Sequence, residues 1–320
     1  MHGIPTWGAG RMRRLAQWGG SAAGAAGLLA FWLAGGGRGT ASVPTASYRA
    51  WLQASSNVLF GYTSNGSQSP TTPGMQIGTS LASARLSDGT FESAFHDKNN
   101  DLYLYKWNGA KVSVKVSTKL SMDPGTSPAL AGLPTGAGWI AAFQGSNNHL
   151  YIYTSSGSKT DIGLPMEPGT SPAVAVQPNG DWEVVFTSSH GRLTTYDATG
   201  NSSWTRDAMD TASSPSIASL ADGSYQVAFE ASNDHLSTYH TGGSTDHTTF
   251  SMHPGTSPSI ASQSDGSWEV AFQAGNNKLG ITDSAGNSLK IADGMHAGTS
   301  PSIATLADGS YEIAFEASND

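Results

Sequence analysis

The residues of this chain whose types and spacing could do chemistry are polar groups that recur in register. One column stands directly after the last apolar residue of a repeated strand: Gln53, His96, Gln144, Thr187, Glu230, Gln273 and Glu316. Two positions earlier the residue is mostly alanine, at 94, 142, 228 and 271. A carboxamide or carboxylate beside alanine, between packed elements, is either paired internally or offered to a ligand. Turn asparagines follow six of the seven copies, at 57, 99, 147, 233, 276 and 319. Planar polar groups of this kind bind hydroxyls, and an aromatic face binds the C–H side of a sugar ring. The candidate ligand contacts are therefore Gln53, Gln144, Asn147, Glu230, Asn233, Gln273 and Asn276. The irregularly placed Trp107 and Trp204 are free to act as aromatic platforms. Trp139, Trp182, Tyr225, Trp268 and Tyr311 recur in one column, and that regularity suits core packing.

Other chemistry lacks its constellation. Nine histidines are scattered among turns and strands without a metal-ligand spacing, and no serine sits in a G-x-S-x-G elbow. Met252-His253 and Met295-His296 have donors that suit copper, but the histidine position is merely polar elsewhere (Gln76, Asp123, Glu167, Asp210). The Asp-Gly pairs at 88–89, 222–223, 265–266 and 308–309 are single acids, whereas a calcium loop needs several carboxylates at alternating positions. The chain has no cysteine. The sequence thus assigns no catalytic residue, no metal and no cofactor.

The elements that position these groups repeat. Gly-Thr-Ser begins at 78, 125, 169, 255 and 298, and Ala212-Ser213-Ser214 fills the gap, so the spacings are 47, 44, 43, 43 and 43. A methionine stands three residues before each anchor, at 75, 122, 166, 209, 252 and 295. Six in one register mark a structural position, a blade-to-blade plug of adaptable shape. Within residues 213–252 the grammar is strand, Asp-Gly turn, the strand SYQVAFEA alternating at period two, Asn-Asp turn, third strand, Gly-Gly-Ser turn and fourth strand. Four short antiparallel strands per repeat predict an all-β chain, a β-propeller of four-stranded blades. Seven second strands, starting at 47, 90, 138, 181, 224, 267 and 310, predict seven blades with the last incomplete at Asp320. Any ligand is expected in clefts between neighbouring blades, against the polar column and the adjoining turn.

The segments GTSPSIATLADGSYEIAFEASND (298–320) and SPSIASLADGSYQVAFEASND (214–234) resemble the repeats of the PLL-like lectin family, named for a bacterial fucose-binding lectin. The resemblance covers residues 47–320. It implies a bacterial propeller that binds glycans or glycoconjugates at several weak sites, and no enzyme. The third strand departs along the chain: YLYKW (103–107) and YIY (151–153) are aromatic, LSTYH (236–240) and LGITD (279–283) less so. The alternatives are a non-catalytic protein-interaction or cell-surface scaffold on the same ring, and a glycan-active propeller enzyme. Near-identical blades argue against the enzyme, because catalysis needs unique residues at one place.

Residues 1–41 read as an export signal. Arg11, Arg13 and Arg14 form a basic start, residues 21–34 an apolar run, and Gly39-Thr40-Ala41 a cleavage site. The rival is a membrane anchor, but the run is shorter than the ~18–20 residues that span a bilayer. Residues 42–46 form a linker. The expected location is extracellular, with no stable membrane insertion once the signal is removed. Loss of the four arginines in 1–41, a segment without acids, takes the formal charge from −8 to −12. An acidic body excludes nucleic acid as a natural partner.

Overall fold

The computed structural model describes residues 74–107, 112–306 and 309–318, together with five N-terminal strands. Side chains are described for 74–106, 116–288, 294–306 and 309–318. The described strands form seven sheets, six of four strands and one of three. The first strands of successive sheets touch in chain order, and that of the last sheet, Ser302–Thr305, touches that of the first, Ala30–Ala34. The sheets are thus blades of a propeller closed on itself, numbered here 1 to 7 in chain order.

Each blade is a meander. In blade 5, Ser216–Ser219 pairs with Tyr225–Glu230, that with His235–His240, and that with Thr245–Ser251, all antiparallel. The second strands are covered on both faces by neighbouring blades, and Tyr225–Glu230 is buried at every position. The Asp-Gly hairpins close as turn chemistry. Gly223 has φ +88°, and Asp222 Oδ1 accepts hydrogen bonds from Ser224 N and Oγ. Asp88 and Asp265 do the same for Thr90 and Ser267. These carboxylates are spent on turns, and the bonds hold their pKa values below the usual range.

The anchor motif is a clip between blades. Its Thr folds back, Oγ1 donating to the carbonyl three residues earlier, as in Thr256 to His253 at 2.7 Å. Its Ser builds a belt. Ser80 N donates to Ser127 Oγ, Ser127 N to Ser171 Oγ, Ser171 N to Ser214 Oγ, Ser214 N to Ser257 Oγ and Ser257 N to Ser300 Oγ, all at 2.8–2.9 Å. The six methionines before the anchors are buried, and each bridges to the residue just past the second strand of the next blade, as Met209 does to Ala231. Burial of that column agrees with its reading as a plug.

The N-terminus differs from expectation. Ala30–Ala34 is the first strand of blade 1, paired with Ser47–Gln53. Arg14–Trp18 lies parallel to Tyr311–Glu316 and gives blade 7 a third strand. Arg14–Trp18 and the last strands of the sequence therefore share one blade, and blade 1 has its own first strand, Ala30–Ala34. Both strands fall within the segment read as an export signal. The linker 42–46 lies outside the described residues.

Candidate functional site

The polar column after the second-strand aromatic is part of the seam. Gln144, Glu230 and Gln273 are 0% exposed. Gln273 Nε2 donates to His296 O at 2.8 Å, and its Oε1 accepts from Gly298 N at 2.9 Å. Gln144 Nε2 donates to Glu167 O, His96 Nδ1 bonds Thr126 O, and Thr187 Oγ1 donates to Ser213 O. Each head group ends on the anchor turn of the next blade. This corrects the expectation of a hydroxyl-binding notch at Gln144, Glu230 and Gln273: no ligand reaches them. The alanines beside them are equally buried and leave no open space. The side chains of Gln53 and Trp107, which end the strands Ser47–Gln53 and Asp101–Trp107, lie outside the described residues.

Glu230 differs chemically from Gln273. Its Oε2 accepts from Gly255 N at 3.1 Å, while Oε1 is buried without a partner. Burial, reinforced by Asp210 and Asp234, pushes its pKa up to about 8. Burial alone is the main cause that raises Glu92 and Glu269 to about 7.

The turn asparagines 147, 233 and 276 are exposed, as a ligand contact requires. Asn147 is already engaged: its Nδ2 donates to Tyr151 Oη and Asp161 Oδ2, both at 3.1 Å, and Tyr151 Oη donates to Asp161 Oδ2 at 2.8 Å. His149 Nδ1 joins the same carboxylate at 3.1 Å. Asn233 contributes its backbone carbonyl to His235 Nδ1. Trp204 is 70% exposed on the outer strand of blade 4, opposite Thr194.

Asn276 lines a cleft. Between the outer strand of blade 5, Thr245–Ser251, and blade 6 lies a cavity of about 330 Å³, at the small end of ligand sites. Phe250 and Phe272, 6.0 Å apart between ring centroids, form its apolar floor with Gly280. Ser251, Asn276 and Ser288 form an exposed polar rim. No charged side chain lines it among the described residues. Gly280 is decisive: a Cβ there would meet the Phe272 ring at 2.5 Å. The ring lies where a side chain would stand. An inter-blade cleft with an adjoining turn matches the expected location, but the phenyl floor replaces the polar column. The sequence signal was LGITD, where a glycine falls at a position that is Tyr151 in blade 3.

A second constellation went unread in the sequence. Ser237 Oγ lies 3.2 Å from His247 Nδ1, and His247 Nε2 lies 3.3 Å from Asp207 Oδ1 across the seam between blades 4 and 5. This is the composition of a hydrolase triad. Ser237 is 0% exposed, however, so no substrate carbonyl can reach its oxygen. Thr245 Oγ1 also donates to Asp207 Oδ2 at 2.6 Å, and the group reads as a polar clasp between blades.

Ring and cleft together define a β-propeller with an inter-blade pocket whose described lining carries no charge. No family model matches the chain, and no match to a curated protein sequence reaches significance. Solved structures do match its fold. AofleA from Arthrobotrys oligospora is 18% identical with a TM-score of 0.58, covering 83% of this chain and 86% of that one. A lectin from Aleuria aurantia, described as a six-bladed β-propeller with a novel fucose recognition mode, is 15% identical with a TM-score of 0.57, covering 83% and 94%. A streptogramin B lyase is 16% identical with a TM-score of 0.57, covering 83% and 87%. At these identities the likeness establishes the propeller fold, which serves both binding proteins and an enzyme.

Proposed function

We propose that this chain is an exported, carbohydrate-binding, lectin-like propeller of the PLL-like kind, without catalytic activity. The observation that carries this reading is the cleft between blades 5 and 6. A pair of phenyl rings can face the C–H side of a sugar ring, and hydroxyl and amide groups at the rim can meet its hydroxyls. The repeat signature supports it, as does a shared fold with the fucose-recognising Aleuria lectin. A glycan array probed with the purified full chain tests it. Retention on neutral glycans is the expected result, and a blank array refutes it.

The Ser237–His247–Asp207 chain and the lyase likeness favour an enzyme as the second reading. Burial of Ser237 weighs against it. Activated-ester and glycoside substrates are expected to show no turnover above background. Turnover that disappears in Ser237→Ala would reverse the assignment.

Export rests on the basic start, apolar run and small residues of 1–41. N-terminal sequencing of secreted protein is expected to begin at Ser42, and a start at Met1 refutes cleavage. In a chain so cleaved, the strands Arg14–Trp18 and Ala30–Ala34 are lost from blades 7 and 1.

A further inference from the structure

We infer that the seams between blades 4 and 5 and between blades 6 and 7 each form a site for a hard divalent cation, calcium. Each site is built from a cross-strand Glu–Asp pair with a glutamine and a tyrosine beside it. Both lie in seams other than that of the Asn276 cleft, and the inference stands whether or not the chain binds sugar.

The first three strands of a blade set a row of side chains on one face. In blade 4 the row is Ala175, Glu183 and Asp197, and in blade 6 it is Ala261, Glu269 and Asp283. Residues directly opposite have Cβ atoms about 4.5–5.5 Å apart, and like charges there repel. Blades 2, 3 and 5 avoid this. Glu92 stands opposite Lys106, Ile140 opposite Thr154 and Gln226 opposite His240. Lys106 lies close enough to act on Glu92, whereas no basic side chain of the described residues acts on Glu183 or Glu269. Blade 2 carries its own cation at this place, and blades 4 and 6 leave the charge to be met from solution.

A second change coincides with the first. Two residues beyond the alanine of the row, on the same face, blades 2, 3 and 5 have Leu86, Leu133 and Leu220, but blades 4 and 6 have Gln177 and Gln263. The aromatic that opens the second strand of the next blade changes with it. It is tryptophan after each of those leucines, and Tyr225 or Tyr311 after the glutamines. Gln177 is 3% exposed; its Nε2 donates to Ser224 O across the seam, and its Oε1 has no partner. Tyr225 is 7% exposed, its Oη is equally unpartnered, and Glu183, Asp181 and Asp197 all act on it. In the seam between blades 6 and 7, Glu269 Oε2 is buried without a partner, and Tyr311 meets Gln263 and Glu269. Buried oxygens without donors, beside carboxylates without a counter-charge, are what a bound cation satisfies.

The donor set selects the ion. Carboxylate, carboxamide and phenol offer oxygen alone, which suits a hard cation rather than zinc or copper. An irregular set completed by water suits calcium better than magnesium, which demands a near-ideal octahedron. The competitor is the proton. Burial raises the pKa of Glu183 and takes that of Glu269 to about 7. Asp197, Asp181 and Tyr225 surround Glu183, and Asp283, Asp265 and Tyr311 surround Glu269, so no neighbour supplies positive charge. Calcium must therefore displace a proton to bind.

Calcium titration of the chelator-treated full chain, at ionic strength held constant with sodium chloride, tests this. Terbium, excited through the neighbouring tyrosines, reports the same sites by luminescence. At pH 8, calcium is expected to bind in both seams with a dissociation constant on the order of 0.1–1 mM and to raise the melting temperature. Below the glutamate pKa, affinity is expected to fall about tenfold per pH unit, as one proton is displaced. Glu183→Gln and Glu269→Gln, which keep the shape of the neutral side chain, are each expected to remove one ion. Gln177→Leu with Tyr225→Trp, the residue types of the other seams, is expected to remove the ion between blades 4 and 5 from a folded chain. Asp246→Asn, at an exposed acid of blade 5, is expected to change nothing. Absence of calcium heat and of terbium emission at about 10 mM, tenfold above the expected constant, overturns the inference and leaves these seams to a proton and water. Binding that persists unchanged when both glutamates are replaced, or that does not vary between about pH 6 and 8, also overturns it, because the ion then lies elsewhere.

Discussion

Met209→Ala is expected to lower stability by about 2–5 kcal/mol, the range for large-to-small changes in a packed core. Met209 is buried at the joint of two blades. Its cluster holds Val185 and Leu193 from blade 4 and Ile217, Tyr225 and Phe229 from blade 5. Truncation opens a void facing both blades, and neither can relax into it without moving against its other neighbour. The backbone bonds of the clip, Met209 N to Gly191 O at 2.8 Å and Asp210 N to Glu230 O at 3.0 Å, survive the substitution, so the loss is one of packing. The Thr187 hydroxyl loses its 3.6 Å contact with Sδ but keeps Ser213 O. Met209→Leu, which conserves volume, is expected to cost under ~1.5 kcal/mol. A denaturant midpoint equal to that of the unsubstituted chain for Met209→Ala would show that the seam does not depend on this plug.

The propeller was legible because its determinants are local and repeated. Asp222-Gly223 specifies a hairpin by itself, and the alternation of Tyr225, Val227 and Phe229 specifies the strand that follows. The methionine column announced a buried position before any contact was known. The belt of Gly-Thr-Ser serines was not legible, since Ser214 meets Ser257 only once the ring is closed. The polar column showed its type but not its partner. Gln273 looked equally suited to a sugar hydroxyl or a backbone group, and only the turn at His296–Gly298 decides. The cleft was hidden for a further reason. It is made by a missing side chain at Gly280 and by Phe250, which lies on another blade. The loss of aromatic residues from the later third strands weakened the sugar reading there. At blade 6 that same loss lets Phe272 floor the pocket.

The polar column also makes stability depend on pH, and Glu230→Gln isolates the effect. The folded pKa of Glu230 is about 8, well above the ordinary glutamate value that the unfolded chain retains. The folded state therefore holds a proton that the unfolded state releases above about pH 4.5. Stability from this group is complete below that pH and is lost as pH rises through 8. Glu92 and Glu269, at about 7, add to the same slope. On the acid side, Asp88, Asp222 and Asp265 act in the opposite sense, since their lowered pKa values make folding weaker as they protonate. Stability should thus peak near about pH 4–4.5, above the range where the aspartates protonate and below that where the glutamates of the unfolded chain ionise. The sister residue Gln273 shows what a neutral group does at this position, accepting from Gly298 N and donating to His296 O. Gly255 and His253 are the same repeat positions one blade earlier. Glutamine at 230 keeps the bond from Gly255 N and gives the second head-group atom, unpartnered in Glu230, a donor for the His253 carbonyl. Glu230→Gln is expected to leave the midpoint nearly unchanged at pH 5 and to raise stability by about 2–4 kcal/mol at pH 8.5, from ~1.4 kcal/mol per pKa unit. Glu230→Ala, by contrast, strands Gly255 N and should destabilise at both pH values. Denaturant titrations of the three proteins at pH 5 and 8.5 check the pattern. A Glu230→Gln chain with the same pH slope as the unsubstituted protein would place the titrating group elsewhere.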